Sequence, residues 1–509
     1  MTATPAPKHW SHARPWHTNI ALLLVGIALF SFTRQTWFEF DNFWIGYSGC
    51  SSSMAVLFLA SCWLAMTRPV DRFTFPIILA VGAGCRLVAI FGDPIFSSDI
   101  YRYVWDGVVQ HAHINPFRYV PGDVALMPLR EPNSDVYALI NRREYAHTIY
   151  PPAAQAYFYL VTFFGASATC MKTFMVLCEG LTVWGLVKIL KHLGYRREQV
   201  LLYWWSPLLI WEIGGNGHLD AVACTLIVLA ILFRFRMRPM LTGLFLGLAV
   251  ITKMYPLVLF PALYRRGDWK MPVTMTAVIV LGYACYSSVG MLVFGFLGGY
   301  AKEEGIETGA RYFLLEWGQG LPGLHNLPPL AFMIFAAAVF ALISLWAWNT
   351  CCRQPEPSSQ AIHSGGSGAF RITSADFVSG EASFLGPAFA LAAALMFLFS
   401  PHYAWYIAWL FPFFCLQPTV PMATYLMGFF YGYTTWLADP GPKMFLLNQR
   451  LYGVTLLASF VHLGLKAWPT YRANFLATPV RADHGALKDA MQDPNNTIQD
   501  FPMHPEPSL

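Results

Sequence analysis

Charge is what this sequence has least of. Only 12% of its 509 residues are Asp, Glu, Lys or Arg, about half the share of an ordinary soluble domain. Hydrophobic residues make up 56% and the mean hydropathy is +0.44. A chain of this kind reads as a polytopic membrane protein and not as a set of soluble domains. Lys and Arg are scattered between apolar runs and form no continuous stripe, so no nucleic-acid partner is expected. No Gly-rich phosphate loop or nucleotide fingerprint is present, which argues against a nucleotide-sugar substrate. The ten cysteines have no zinc or disulfide spacing; most lie inside apolar runs (Cys62, Cys85, Cys178, Cys224, Cys285, Cys415) and read as small core residues. No small-residue cleavage site follows the first apolar run, so no cleavable signal peptide is expected.

What is present in excess is aromatic, at 16%, as suits rings at two membrane interfaces. The expected fold is an all-α bundle of about 13–14 transmembrane spans with juxtamembrane helices at its outer face. Residues 1–17 carry Lys8 and Arg14 and start in the cytoplasm by the positive-inside rule. Spans follow at 18–33, 44–66 and 73–91, and the third delivers residues 92–169 to the outer face as a large loop rich in Pro, Asn and Tyr. Arg86 within the third span should face the bundle interior or snorkel outward. Residues 152–168 are apolar, but a crossing there would put the basic loop after 188 on the wrong side. A short helix half-sunk in the outer interface removes that conflict. Further spans are expected at 170–190, 199–213 and 221–235, a tight hairpin at 239–264, and spans at 271–297 and 327–349. The bundle 18–349 is then followed by a Ser/Gly/Pro-rich cytoplasmic linker, 350–383, by C-terminal spans within 384–466, and by a polar cytoplasmic tail, 467–509.

This topology collects polar clusters on one side. The first is Ser97-Ser98-Asp99-Ile100-Tyr101-Arg102-Tyr103-Val104-Trp105-Asp106-Gly107, where Asp99, Arg102 and Asp106 share a helix face. The others are His218 with Asp220, Lys253, and His402. Each has an ordinary reading. Asp99 suits the first turn of a helix, Asp106 can pair with Arg102, and His218-Asp220 can be a polar turn. Lys253 can snorkel, and His402 can anchor an interface. Ionisable groups at a membrane rim are costly, however, and their convergence points to a site. A carboxylate flanked by cations suits deprotonating an acceptor hydroxyl while a phosphate leaves. Apolar walls between spans suit a lipid tail, so a lipid-phosphate donor fits. A transporter or lipid flippase would line a pathway with the same groups, usually near the midplane and in repeated halves. A polymerase or ligase of lipid-linked glycans would differ in its donor. No cluster has metal-ligand spacing, although Asp99, Asp106, His218 and Asp220 leave room for a divalent cation assembled in space.

The 97–107 stretch, with Asn115-Pro116-Phe117-Arg118-Tyr119 and Ile149-Tyr150-Pro151-Pro152, resembles the first outer loop of bacterial polyprenol-phosphate-mannose-dependent mannosyltransferases of the GT-C superfamily. Gly217-His218-Leu219-Asp220, the Gly243/Gly247…Thr252-Lys253 hairpin and Pro401-His402-Tyr403-Ala404-Trp405-Tyr406 are similar to later elements of that family. The resemblance implies an inverting hexosyl transfer, of mannose, from a polyprenyl-phosphate sugar to a lipid-linked or glycan acceptor. Asp99 matches the position of the base, with Asp106 as the second candidate. Arg102, Tyr101, Tyr150, His218, Asp220, Lys253 and His402 would bind substrate. It also implies a bacterial inner membrane, surrounding membrane lipids and an active site on the periplasmic face. The chain departs from the family in its two preceding spans, its long linker and the lack of a soluble outer domain.

Overall fold

The computed structural model describes residues 14–38, 43–309, 311–352, 384–400, 403–436 and 443–467. Among these the secondary structure is helical, with no strands. The elements used below are α1 (Pro15–Phe38), α2 (Phe43–Thr67), α3 (Thr74–Phe91), α4 (Asp99–His111), α5 (Pro152–Thr162), α6 (Ala168–His192), α7 (Asp220–Phe235), α8 (Pro239–Val250), α9 (Lys270–Cys285), α10 (Leu297–Glu303), α11 (Pro329–Cys352), α12 (Leu385–Phe399), α13 (Val420–Trp436) and α14 (Lys443–Ala467).

Five helices among the described residues are long and apolar enough to cross a membrane: α1, α2 from Gly49 onward, α3, α6 and α11. Two bent pairs raise the number to seven. About 13–14 spans are expected from the whole sequence; five to seven pass on length and apolarity alone among the described residues. Apolarity marks burial as well as membrane contact, and several apolar runs are cut short by Pro and Gly. The run expected to cross at 199–213 is one case. Every residue from 198 to 225 is buried, so this stretch is core of the bundle. It bends by 118° between Pro207–Gly215 and Asp220–Phe235. The reversal is made at Gly217, which has φ +70° and where a Cβ would lie 2.3 Å from the Ile100 side chain. The expected single span at 271–297 likewise bends by 110° after Cys285, with Gly290 and Gly295 at positive φ.

Helix α5 has 11 residues. At about 1.5 Å per residue it rises roughly 16 Å, half a hydrocarbon core of about 30 Å. Its length suits a helix lying at an interface. It crosses α4 where Gly107 meets the Phe158 carbonyl, which a Cβ would approach to 2.7 Å. The hairpin expected at 239–264 is present. α8 rises and turns at 251–254, and the chain returns through the short helices Tyr255–Leu259 and Phe260–Leu263. Gly243 and Gly247 press α8 against α9: a Cβ at Gly243 would lie 2.2 Å from the Met271 carbonyl oxygen. This is the small-xxx-small contact that lets helix backbones approach in a membrane.

Several polar groups inside the bundle are paired. Arg86 faces the interior, as one of its two expected orientations required. Its Nε and Nη2 donate to Glu179 at 2.6 and 2.7 Å, and its Nη1 donates to the Trp204 carbonyl at 2.7 Å. Lys172, at the start of α6, donates to the Gly92 and Ala89 carbonyls and so closes the C-terminal end of α3. Thr182 and Thr225 bond each other at 2.8 Å and link α6 to α7. The expected linker lies outside the described residues from 353 to 383, as do residues 1–13 and the tail from 468.

Candidate active site

A cavity of about 420 Å³ lies where α4 begins. Its wall is assembled from the residues entering α4, the loop before α5, the turn after α8, α10 and the segment from Tyr403. The entry to α4 is fixed from behind, because Asn216 Oδ1 accepts from the backbone N–H of Ile95 and of Phe96, both at 3.0 Å. Asp99, the first residue of α4, lines the cavity and accepts from Asn141 Nδ2 at 3.1 Å.

Three cations line the same cavity: Arg102, Arg142 and Lys253. Each is paired with a carboxylate outside the lining. Arg102 Nε donates to Asp106 Oδ1 at 2.8 Å, and its Nη1 donates to the Ala146 carbonyl at 3.0 Å. Arg142 Nε donates to Glu303 at 2.6 Å. Lys253 Nζ donates to Asp220 Oδ2 at 2.5 Å, and Tyr255 donates to Asp220 Oδ1 at 3.0 Å. These pairings fix where the positive charges sit. They also keep the cations from collapsing onto Asp99, since charge-assisted bonds of this kind are short and strong.

Of the residues picked out in the sequence, Asp99, Arg102, Tyr150 and Lys253 come together on the cavity wall. Asp106 does not line it. It is 1% exposed, and besides Arg102 it accepts from Thr148 at 2.5 Å and Gln155 at 2.9 Å. Asp220 is fully buried behind Lys253. His218 stacks on Trp405 with ring centroids 4.2 Å apart, and its Nε2 lies 3.2 Å from Glu212. Trp405 is in the wall; His218 is behind it. Tyr101 lies off the cavity on another side of α4, where burial and then the charges of Asp93 and Asp135 push its phenol up. His402 lies outside the described residues. Asp99, Asp106, His218 and Asp220 do not gather into the cation site left open by the sequence. Among the described residues no three His, Cys, Asp or Glu side chains are grouped as metal ligands.

The sequence reading missed Asn141, Arg142, His147, Tyr255 and Tyr300. The cue for Arg142 is its place in the Asn141-Arg142-Arg143 run inside an otherwise Pro- and Tyr-rich outer loop; Tyr300 had none beyond its aromatic neighbourhood. Aromatic rings complete the wall. Tyr150 stands edge-on to Tyr103 at 4.8 Å. Burial, then the negative charge of Asp99, pushes its phenol well up, so it stays a hydrogen-bond donor across the physiological range. Tyr300 and Tyr406 are hydrogen-bonded to each other. Phe96, Ile149, Met254, Phe296 and Leu297 supply apolar surface. The cavity thus offers a carboxylate, three placed cations, phenol hydroxyls and an apolar side. This set suits an amphiphilic substrate carrying a phosphate.

Residues 31–265 match the family described as MptA/B, alpha-(1->6)-mannopyranosyltransferase, N-terminal domain. That span includes Asp99, Arg102, Arg142, Tyr150, Asp220 and Lys253. A stretch of 89 residues is 32% identical to GPI mannosyltransferase 1 of Kluyveromyces lactis; it covers 17% of this chain and 22% of that protein, about a fifth of the relative's length. No solved structure matches. Over residues 31–265 the chain is similar to the N-terminal domain of an alpha-(1->6)-mannopyranosyltransferase family, and several of its helices are long and apolar enough to cross a membrane.

Proposed function

We propose that this protein transfers a mannosyl residue from a polyprenyl-phosphate sugar to a lipid-linked or glycan acceptor, at the periplasmic face of a bacterial inner membrane. The observation that carries the reading is the cavity wall itself: Asp99 beside three cations, each paired with a carboxylate outside the lining. In the proposed step the acceptor hydroxyl attacks C1 of the mannosyl group, and Asp99 takes the hydroxyl proton. The bond between C1 and the phosphate oxygen breaks, and the electron pair leaves with the phosphate. A single in-line displacement inverts C1. Arg102, Arg142 and Lys253 offset the charge that grows on the leaving phosphate, a contribution largest when the donors are already in place. Apolar residues on the wall receive the first part of the polyprenyl chain. Asp106, Asp220 and His218 act one layer back, on Arg102, Lys253 and Trp405.

The test is mass spectrometry of lipid-linked glycans from cells lacking the protein. A truncated glycan should accumulate, and wild-type protein should restore the mature one. Asp99→Asn, expressed and folded to the same level, should not restore it. Full restoration by Asp99→Asn would overturn the assignment of the base.

A further inference from the structure

Helix α7 starts at Asp220, behind Lys253, and has 16 residues. At ~1.5 Å per residue it carries the chain roughly 24 Å from the Asp99 cavity, most of a hydrocarbon core of about 30 Å. α8 then returns to the turn that lines the cavity. Residues 234–238, between α7 and α8, therefore lie at the opposite end of the bundle. The loop 264–270, where the hairpin ends, meets them there, since Arg234 Nε donates to the Leu263 carbonyl at 2.9 Å.

These two segments hold Arg234, Arg236, Arg238, Arg265, Arg266 and Lys270 against a single carboxylate, Asp268. Arg234 is 5% exposed. Its Nη1 donates to Met237 Sδ at 3.7 Å, and its Nη2 has no hydrogen-bond partner among the described residues. Arg265 Nη1 donates to the same sulfur at 3.6 Å, while its Nε lies 3.6 Å from Asp268. Two guanidiniums thus converge on a thioether, an uncharged and weak acceptor. Arg86, buried in the same bundle, has a carboxylate in that position. Met237 is 41% exposed, and an unbranched side chain of this kind can swing aside. Aromatic rings border the arginines. Tyr264 stacks on Trp348 at 4.8 Å, and Trp269 and Trp348 are both exposed. Trp is enriched at the headgroup level of a bilayer.

We infer that Arg234 and Arg265 form a binding site for the phosphate of an anionic phospholipid, at the membrane face opposite the Asp99 cavity. A phosphate oxygen replaces the Met237 sulfur between the two guanidiniums, whose planar forks match phosphate geometry. Basic pockets between helix ends bind lipid headgroups in this way. The outward rings of Trp269 and Trp348 meet the rest of the lipid, which a free phosphate ion lacks. The site is independent of the reaction proposed at Asp99.

The test is native mass spectrometry of the full chain in detergent, with thermal melting alongside. Phosphatidylglycerol, phosphatidylcholine and inorganic phosphate are the probes. Phosphatidylglycerol should be retained in preference to phosphatidylcholine and should raise the melting temperature. Millimolar inorganic phosphate should not displace it. Arg265→Gln should lower phosphatidylglycerol retention by about tenfold, as expected for loss of a charge-assisted contact. Arg234→Gln should do the same, but it alters a buried residue, so the partly exposed Arg265 gives the decisive variant. Arg238→Gln, exposed and outside the pair, should lower retention by about twofold or less at physiological salt. Equal retention of the two lipids, or unchanged retention in Arg265→Gln, would overturn the inference. An equal loss in Arg238→Gln would do so too, by showing a diffuse basic surface. Displacement by inorganic phosphate would assign the arginines to the free ion. The chain's own candidate anion is Glu381, three residues before Phe384, whose ring lies 5.0 Å from the Arg234 guanidinium. Glu381→Gln should leave melting temperature and retention unchanged; a fall in melting temperature would assign the arginines to that carboxylate and remove the lipid site.

Discussion

Two groups of buried charge in this protein are built on different plans. Arg86 and Glu179, inside the bundle, are both fully buried and form a two-point pair. The remaining Arg86 donor atom, Nη1, is bonded to the Gly82 and Trp204 carbonyls, and the guanidinium lies 3.7 Å over the Trp204 ring. Nothing is left over for a ligand. Around Asp99 the pairs are offset from the space they border: Arg102, Arg142 and Lys253 reach the cavity while Asp106, Glu303 and Asp220 stay out of its lining. Both plans satisfy the cost of burying charge. The first closes the charges on themselves and joins α3 to α6. The second supports them from one side and leaves the other side facing the cavity.

This contrast can be broken at four points. The largest effect is expected from Asp99→Asn, which should lower mannosyl transfer by about 10²–10⁴-fold with an unchanged melting temperature. A comparable loss of melting temperature would place Asp99 with the structural charges. Glu179→Gln should do the reverse. Leaving Arg86 without its carboxylate should destabilise the protein by about 3–5 kcal/mol, read as a lower melting temperature in nanodiscs, while turnover per folded molecule is kept. Asp220→Asn tests the rear support of the cavity. It weakens a charge-assisted bond to Lys253 worth about 1.5–3 kcal/mol, so KM for the polyprenyl-phosphate donor should rise by at least tenfold with KM for the acceptor little changed. The smallest effect is expected from Gly243→Ala. The added methyl meets the Met271 carbonyl, and overpacking of this kind costs about 1–3 kcal/mol. It should shift thermal stability with only a few-fold change in transfer.

Much of the site was legible in the sequence because charge is rare there. In an apolar chain each polar cluster stands out, and the ends of apolar runs mark a rim. Asp99, Arg102 and Lys253, which line the cavity, stand out in that way. The same reasoning kept Asp106 as a second candidate behind Asp99, since i, i+3 and i+7 spacing gives a common face without saying what that face meets. Thr148 and Gln155, which bond Asp106, decide the matter, and they come from a loop and a helix more than forty residues later. His218 and Asp220 were read as part of the site surface, but they belong to the segment 214–220, which lies behind it. Its residues act from behind, through Asn216 on the entry to α4, Gly217 at the reversal and Asp220 on Lys253.

The sequence alone determined the helical class, the membrane setting and the set of residues from which a site can be built, because solvent preference is a property of each side chain and helical spacing is local. It did not determine which apolar runs cross the membrane and which fill the core, since both are equally hydrophobic. Nor did it determine which carboxylate of each pair faces the cavity. Those outcomes depend on what is packed against each element, and only the tertiary structure supplies those neighbours. It turns the charge of Asp99 toward the cavity and that of Asp106 toward Arg102.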